Sequence, residues 1–380
     1  MTERTKPPFR ADHVGSLIRP DALIRAREQA EKQEISHSEL QRVQQAAIRD
    51  VVRLQEELGL NVVTDGEFNR QSWHRDFMLK FANVRMMPSK LTVRFHSADG
   101  DRPHSPPTMQ VTGKLARPHS SKPGGGGIFV DDFKFLTSIA RATPKITLPS
   151  PTVMHFRGGR EAIDAAAYPD IAAFYDDLAR LYREEIADLA QAGCRYLQID
   201  EVNLAYLCDE DLRKQVANIG EDPRTLPKTY AKLLNDTIKN RPTDMTVCMH
   251  LCRGNFAGAW VAEGGYEPIA DLLFNAIDVD GYFLEYDSAR AGGFEPLRFL
   301  PKGKVAVLGL VTTKSGVLES KDEIKRRIDA AARHTSLDQL ALSPQCGFSS
   351  GIGGNTMDAA GEVAKLRLVV ETAREVWGHA

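Results

Sequence analysis

The chain has 380 residues, 42% of them hydrophobic and 26% charged, with a formal charge of −2. This balance suits a globular protein with a large core and supplies neither a basic face for nucleic acid nor a polybasic membrane anchor. No stretch approaches the roughly 18 apolar residues of a membrane span, and the opening MTERTKPPFRADHVGS holds no apolar signal core, so the expected location is the cytoplasm.

Eight short apolar runs read as strands, most of them separated by helical stretches. The first, Ala11–Leu17, contains His13, Gly15 and Ser16; residues 18–60 then carry two helical patterns where one would suffice. The second strand, Asn61–Gly66, leads to Glu67, and the Gln71-Ser-Trp-His-Arg75 stretch beyond it either lines a substrate entrance or caps a helix. Residues 85–135 form an insertion before the third strand. Within it Leu91–His96 and Thr108–Leu115 alternate like the arms of a hairpin, and Ser120–Gly127 (SSKPGGGG) reads as a flexible loop.

The third strand is Lys145–Pro149. Asp170–Ala192 places Ile171, Phe174, Leu178, Leu181 and Ile186 on one helical face, and Gly193 stands where a helix ends. Strands follow at Tyr196–Asp200, Met245–Leu251, Gly281–Tyr286, Lys304–Leu310 and Gln339–Ser343. Ser320–His334 opens with a capping-box pair, Ser320 and Glu323, and Asn355–Trp377 is a closing helix. Eight strands alternating with helices predict an α/β protein: a single (β/α)8 TIM barrel over residues 1–380, with a hairpin and loop inserted between strands 2 and 3. An open doubly wound sheet is the alternative, but no G-x-G-x-x-G or Walker A sequence follows an early strand.

Active sites of such barrels lie at the C-terminal strand ends. Those ends hold His13, Gly15 and Ser16; Asp65 and Glu67; Asp200 and Glu201; His250 and Cys252; Glu285 and Asp287; Thr312 and Lys314; and Cys346. Residues two apart on a strand share a face, so His250 and Cys252 converge. A buried histidine beside a core cysteine would show the same His-x-Cys spacing. What favours a metal is that Glu285 and Cys346 fall at further strand ends, because two thiolates, an imidazole and a carboxylate suit Zn²⁺. Five cysteines, an odd and sparse set, do not read as a disulfide framework. Cys248 shares the face of His250 but lies deeper, as packing; Cys194 and Cys208 read as structural.

His250-x-Cys252, Glu285 and Pro344-x-Cys346-Gly347, together with His13-Val-Gly-Ser16 and Gln198-Ile-Asp-Glu201, resemble the C-terminal catalytic barrel of cobalamin-independent methionine synthase. The resemblance runs along essentially the whole chain. It implies a zinc-dependent methyl transfer to homocysteine sulfur, with His250, Cys252, Glu285 and Cys346 as metal ligands. It also implies that His13, Gly15 and Ser16 bind the amino-acid substrate, and that Glu67 and Asp200 hold its ammonium group.

Two departures set the chain apart. With 380 residues, it is expected to lack the second, N-terminal barrel that in the synthase helps bind polyglutamyl folate. Thr312 and Lys314 stand where the synthase carries an Asp-x-His element, which leaves Lys314 as the candidate catalytic residue there. Methyl-folate, methylcobalamin and a corrinoid protein all stay open as donors. Short single-barrel relatives include epoxyalkane:coenzyme M transferases, whose sulfonate-bearing thiol would call for cations such as Arg70, Arg75 or Lys314. A non-catalytic barrel with a structural zinc is the third reading, and pairing of two copies through outer helices is a further expectation. Two Cys and one Glu would give the zinc site a formal charge of −1, which favours an electron-rich thiolate over the acidic bound water of a hydrolase.

Overall fold

The structure is a computed structural model, and it describes residues 4–380 apart from 90, 97–99, 119–125, 257, 350 and 352–356. The described strands, in chain order, are β1 Val62–Val63, β2 Ala82–Met87, β3 Val93–Phe95, β4 Arg102–His104, β5 Thr108–Ala116, β6 Thr143–Pro144, β7 Ile146–Pro149, β8 Tyr196–Glu201, β9 Thr246–Leu251, β10 Gly281–Glu285, β11 Val305–Val311 and β12 Leu340–Pro344. The last six, β7 to β12, lie side by side in chain order as one parallel sheet. Nearly every residue in them is buried, as expected of parallel strands covered on both faces.

The first two expected strands are much shorter than their apolar runs, because side chains take over the ladder's work. Ala11 makes only a parallel bridge to Leu342. Beyond it Asp12 turns the chain, accepting from the backbone N–H groups of Phe9 at 3.3 Å and His13 at 2.8 Å. In the second run only Val62 and Val63 pair, with Thr143 and Pro144. Thr64 is instead clasped by the Gln55 amide, which donates to its carbonyl and accepts from its N–H, each at 2.9 Å.

The insertion pairs differently from the expected hairpin. Val93–Phe95 pairs with Arg102–His104, whereas Thr108–Ala116 pairs with Ala82–Met87. The nearer partner in sequence closes the shorter loop, which is entropically cheaper. Of the glycine-rich loop, residues 120–125 lie outside the described residues.

Helices cover the sheet. Ile171–Gln191 begins at Asp170, whose carboxylate accepts from Ala172 N at 2.9 Å, and Gly193 follows its end at φ +96°. Lys321–Ala331 starts where expected, but Ser320 makes no side-chain cap, and Glu323 pairs with Arg326 one turn on. A full capping box occurs instead at Ser36 and Glu39, opening the His37–Glu57 helix. The closing helix is Ala359–Trp377, capped by Asp358; residues 355 and 356 of the expected span lie outside the described residues. Among the described residues no helix is long and apolar enough to cross a membrane.

One interior cluster gathers Phe9, Val14, Val62, Tyr196, Cys248, Phe283, Val305, Val307 and Ala341. Cys248 is therefore packing, and burial pushes its thiol up. Beside it lies a buried ion pair, Lys145 Nζ to Asp12 Oδ1 at 2.8 Å; Tyr196 donates to the other Asp12 oxygen at 2.8 Å. The pair ties the chain's first segment to the sheet beneath the site.

Candidate metal centre

Three elements bring the soft donors together. His250 lies near the end of β9, Cys252 just past it, and Cys346 two residues past the end of β12. Their ligand atoms lie within 4.8 Å of one another, and all three residues are buried. The approach of Cys346 depends on Gly347, where a Cβ would stand 1.9 Å from Ser16 Oγ.

Register explains how the imidazole is held. Asp200 on β8 faces His250 on β9, and its Oδ1 lies 3.2 Å from His250 Nδ1. Gln198 donates to the same oxygen at 2.7 Å. With Nδ1 engaged, the buried Nε2 has no hydrogen-bond partner, and an orphaned buried acceptor of this kind is costly unless something binds it. A carboxylate behind a histidine is also how proteins orient metal-ligating imidazoles. Burial alone would lower the His250 pKa, but Asp200 and the charges of Cys252 and Glu285 outweigh it and raise it.

Interaction with Cys346 lowers the Cys252 pKa against burial, with help from His250, and the same interaction pushes Cys346 well up. Two sulfurs beside an unpartnered imidazole nitrogen fit a soft divalent cation, and the donor set fits Zn²⁺.

Glu285 is not one of the three clustered donors. Its Oε2 accepts from Arg253 N at 2.6 Å, while Oε1 faces Arg290 and lies 3.3 Å from Lys314 Nζ. Burial opposes its ionisation, but Lys314, Arg290 and Arg253 together hold it down at about 2. Lys314 also reaches Asp287 at 3.0 Å, and Thr312 donates to that Asp287 oxygen at 3.0 Å. The expected metal carboxylate and the expected catalytic lysine thus belong to one ion network.

The centre opens into a cavity of about 860 Å³ whose wall includes Ser16, Glu67, Asp200, His250, Cys252 and Cys346. Glu67 has a left-handed backbone (φ +61°), accepts from Thr147 Oγ1 at 2.8 Å and pairs with Arg70 at 3.5 Å. Its Oε2 is buried without a partner among the described residues. Burial raises its pKa against the pull of Arg70. Gly15 lies behind this wall at φ +138°, where a Cβ would press on Thr147 Cγ2 at 2.8 Å. His13 is buried and is not part of the cavity wall; burial and the Lys145 charge push its pKa well down.

Of the three cations expected to serve a sulfonate, Arg75 alone lines the cavity. The whole Gln71–Arg75 stretch lines it, and His74 also precedes the short Arg75–Met78 helix. Glu201, adjacent to Asp200, is structural: it accepts from Thr152, Asn203 N and Leu204 N. Sequence reasoning missed Tyr206 and Arg157, both on the cavity wall. Tyr206 follows the β8 end by five residues and was open to discovery as a strand-end aromatic; Arg157 lies in an irregular stretch with no motif.

The profile of the family described as "Cobalamin-independent synthase, Catalytic domain" matches residues 9–113 and 149–375. The uncharacterised Bacillus subtilis protein YxjG is 44% identical over 377 residues, spanning 99% of this chain and 96% of that protein. A Bacillus velezensis 5-methyltetrahydropteroyltriglutamate–homocysteine methyltransferase is 24% identical over 363 residues, covering 95% of this chain but 42% of that protein. A crystal structure from Listeria monocytogenes, assigned provisionally as a vitamin-B12-independent methionine synthase, superposes with a TM-score of 0.76 at 34% identity, covering 99% of this chain and 100% of that one.

Proposed function

The chain belongs to the cobalamin-independent synthase family, catalytic-domain type, and from that membership we propose that it transfers an alkyl group, a methyl group first of all, to the sulfur of a small thiol such as homocysteine. The observation that carries the reading is the buried trio of His250, Cys252 and Cys346 at the floor of a cavity. A purely structural zinc site would be closed to ligands, whereas this trio faces open volume. Zn²⁺ held there would favour the deprotonated form of an incoming thiol and keep it nucleophilic at neutral pH.

In this reading the chain's residues have separate tasks. His250 offers Nε2 while Asp200 fixes its ring. Cys252 and Cys346 would hold the metal as thiolates, and Glu285 would be its fourth ligand. Glu67, with one oxygen unpartnered, binds the substrate ammonium together with Asp200, and Gly15 and Ser16 border the amino-acid end; His13 supports that wall from behind. Lys314 stays next to Glu285 as the local cation, in the place where the synthase carries its Asp-x-His element.

The same proposal takes residues 1–380 as one catalytic unit in a closed (β/α)8 barrel, with 85–135 as its insertion. Closure is supported by the Ala11–Leu342 bridge on one sheet edge. On the other, Lys145 N donates to Val63 O at 2.8 Å and Leu17 N to Gly66 O at 3.1 Å. The family match breaks after residue 113 and resumes at 149, so only 114–135 of that insertion falls outside it. Five free, buried cysteines suit a reducing compartment such as the cytoplasm.

The test is zinc content followed by thiol alkylation, with homocysteine and 2-mercaptoethanesulfonate each set against methylcobalamin, 5-methyltetrahydrofolate and a short epoxide. Cys252→Ser is expected to lose both metal and activity. If the metal-free protein and the Cys252→Ser variant both alkylate as well as the zinc-loaded wild type, the reading is refuted.

A further inference from the structure

The cavity wall carries three carboxylates, Glu67, Asp76 and Asp200, and three cations, Arg75, Lys80 and Arg157, but they are not matched in pairs. Each wall carboxylate near the centre already has partners: Glu67 holds Arg70, Asp200 holds His250 and Gln198, and Asp76 accepts from the backbone N–H groups of Gln71 and Ser72 at 3.0 and 2.8 Å. Arg75 and Arg157 line the same cavity, yet among the described residues neither guanidinium has an ion pair or a hydrogen bond. Elsewhere the buried cations have partners: Arg70, Arg117, Lys145, Arg290, Lys314 and Lys365 contact carboxylates, and Arg19, Arg27 and Arg253 donate to backbone carbonyls. Two adjacent arginines without a carboxylate repel each other. Burial and the Arg75 charge both lower the pKa of Arg157, while Tyr206 raises it. A guanidinium still stays charged; Arg75 is exposed and can be solvated, so the half-buried Arg157 is the member left without a counter-charge.

The same wall also carries apolar and aromatic side chains. Trp73, Phe95 and Phe256 line it, the last two with ring centroids 5.7 Å apart, and Phe256 is 56% exposed. The Tyr206 phenol lies within electrostatic reach of both Arg157 and the Cys252–Cys346 pair.

We propose that Arg75 and Arg157 form a subsite for an organic oxyanion (sulfonate, phosphonate or carboxylate) carried on a short apolar stem, by which a substrate is held with its other end at the thiol centre. Arginine's planar fork suits such a group, and each charge-assisted contact is strong in a sheltered site. The inference deepens the alkyl-transfer reading and rests on it, since the oxyanion belongs either to the alkyl donor or to the acceptor thiol.

The experiment is calorimetric titration of the zinc-loaded protein with hexanesulfonate, hexylphosphonate, hexanoate and neutral hexanol, repeated after zinc removal. At least one oxyanion is expected to bind tenfold or more tightly than hexanol, with or without zinc, and the best of the three identifies the head group. Arg157→Gln is expected to weaken that binding tenfold to a hundredfold, Arg157→Lys to restore part of it, and Arg75→Gln to weaken it several-fold. Arg75 is exposed, so its variant keeps the test open if the Arg157 variants do not fold. Hexanol binding as well as the anions, or a folded Arg75→Gln that binds them unchanged, would overturn the subsite. Oxyanion binding in a protein that never takes up zinc would sink the alkyl-transfer reading while leaving the subsite standing.

Discussion

Replacing Asp200 by Asn tests the link between the sheet register and the metal centre. The Asp200 carboxylate accepts from His250 Nδ1 at 3.2 Å and from Gln198 Nε2 at 2.7 Å. Asn keeps the shape and one acceptor oxygen but removes the charge, and hydrogen bonds to charged groups exceed neutral ones by about 1–1.5 kcal/mol. Losing that excess at the imidazole alone corresponds to about a tenfold loss of zinc affinity. Weakened control of the ring orientation carries the expectation toward the ~10–100-fold range of such outer carboxylates. Competition against a chromogenic chelator measures it, with circular dichroism to confirm folding. The pH dependence has a definite sign. Asp200 raises the His250 pKa, so protons compete with metal more strongly in the wild type than in the variant. The variant's deficit is therefore largest at about pH 8 and narrows toward about pH 6, on either side of the imidazole's ordinary range. Unchanged affinity at the upper pH, or a deficit that grows on acidification, refutes the reasoning.

Glu67→Gln should raise the KM for homocysteine about tenfold, the loss of one charge-assisted contact, and leave zinc content unchanged; equal loss of both would mean that Glu67 supports the fold. Lys145→Met strands the Asp12 carboxylate, which is buried with its partner, and is expected to cost about 3–5 kcal/mol in urea unfolding; a loss under about 1 kcal/mol would show that the pair is dispensable. Glu362 is buried, and desolvation pushes its carboxyl up to about 8 despite the hydrogen bond from Ile18 N. An acid with a raised folded pKa loses stability as pH climbs from its unfolded value, near about 4.3, to its folded one. Glu362→Gln should therefore stabilise the protein by about 4–5 kcal/mol at about pH 8 and hardly at all at about pH 4.5, and thermal melts at both values would expose a flat difference.

His250, Cys252 and Cys346 were legible from the chain alone because strand geometry is local. Alternation puts residues 250 and 252 on one face, and a cysteine just past the last strand falls at the same end of the sheet. The long amphipathic helix and its Gly193 stop were equally legible, since period and capping are properties of neighbouring residues. Pairing was not. Whether Thr108–Ala116 joins Leu91–His96 or Ala82–Met87 depends on competing loop closures, and Ser320 and Glu323 matched a capping box that Arg326 undid by taking the carboxylate. Nor does sequence spacing reveal which cations lack partners. Arg70, Arg75, Arg157 and Lys314 are alike as letters, but Glu67 and the Glu285–Asp287 pair reach only two of them. Charge balance is a sum over groups brought together from distant parts of the chain, and only the folded structure determines which groups are in that sum.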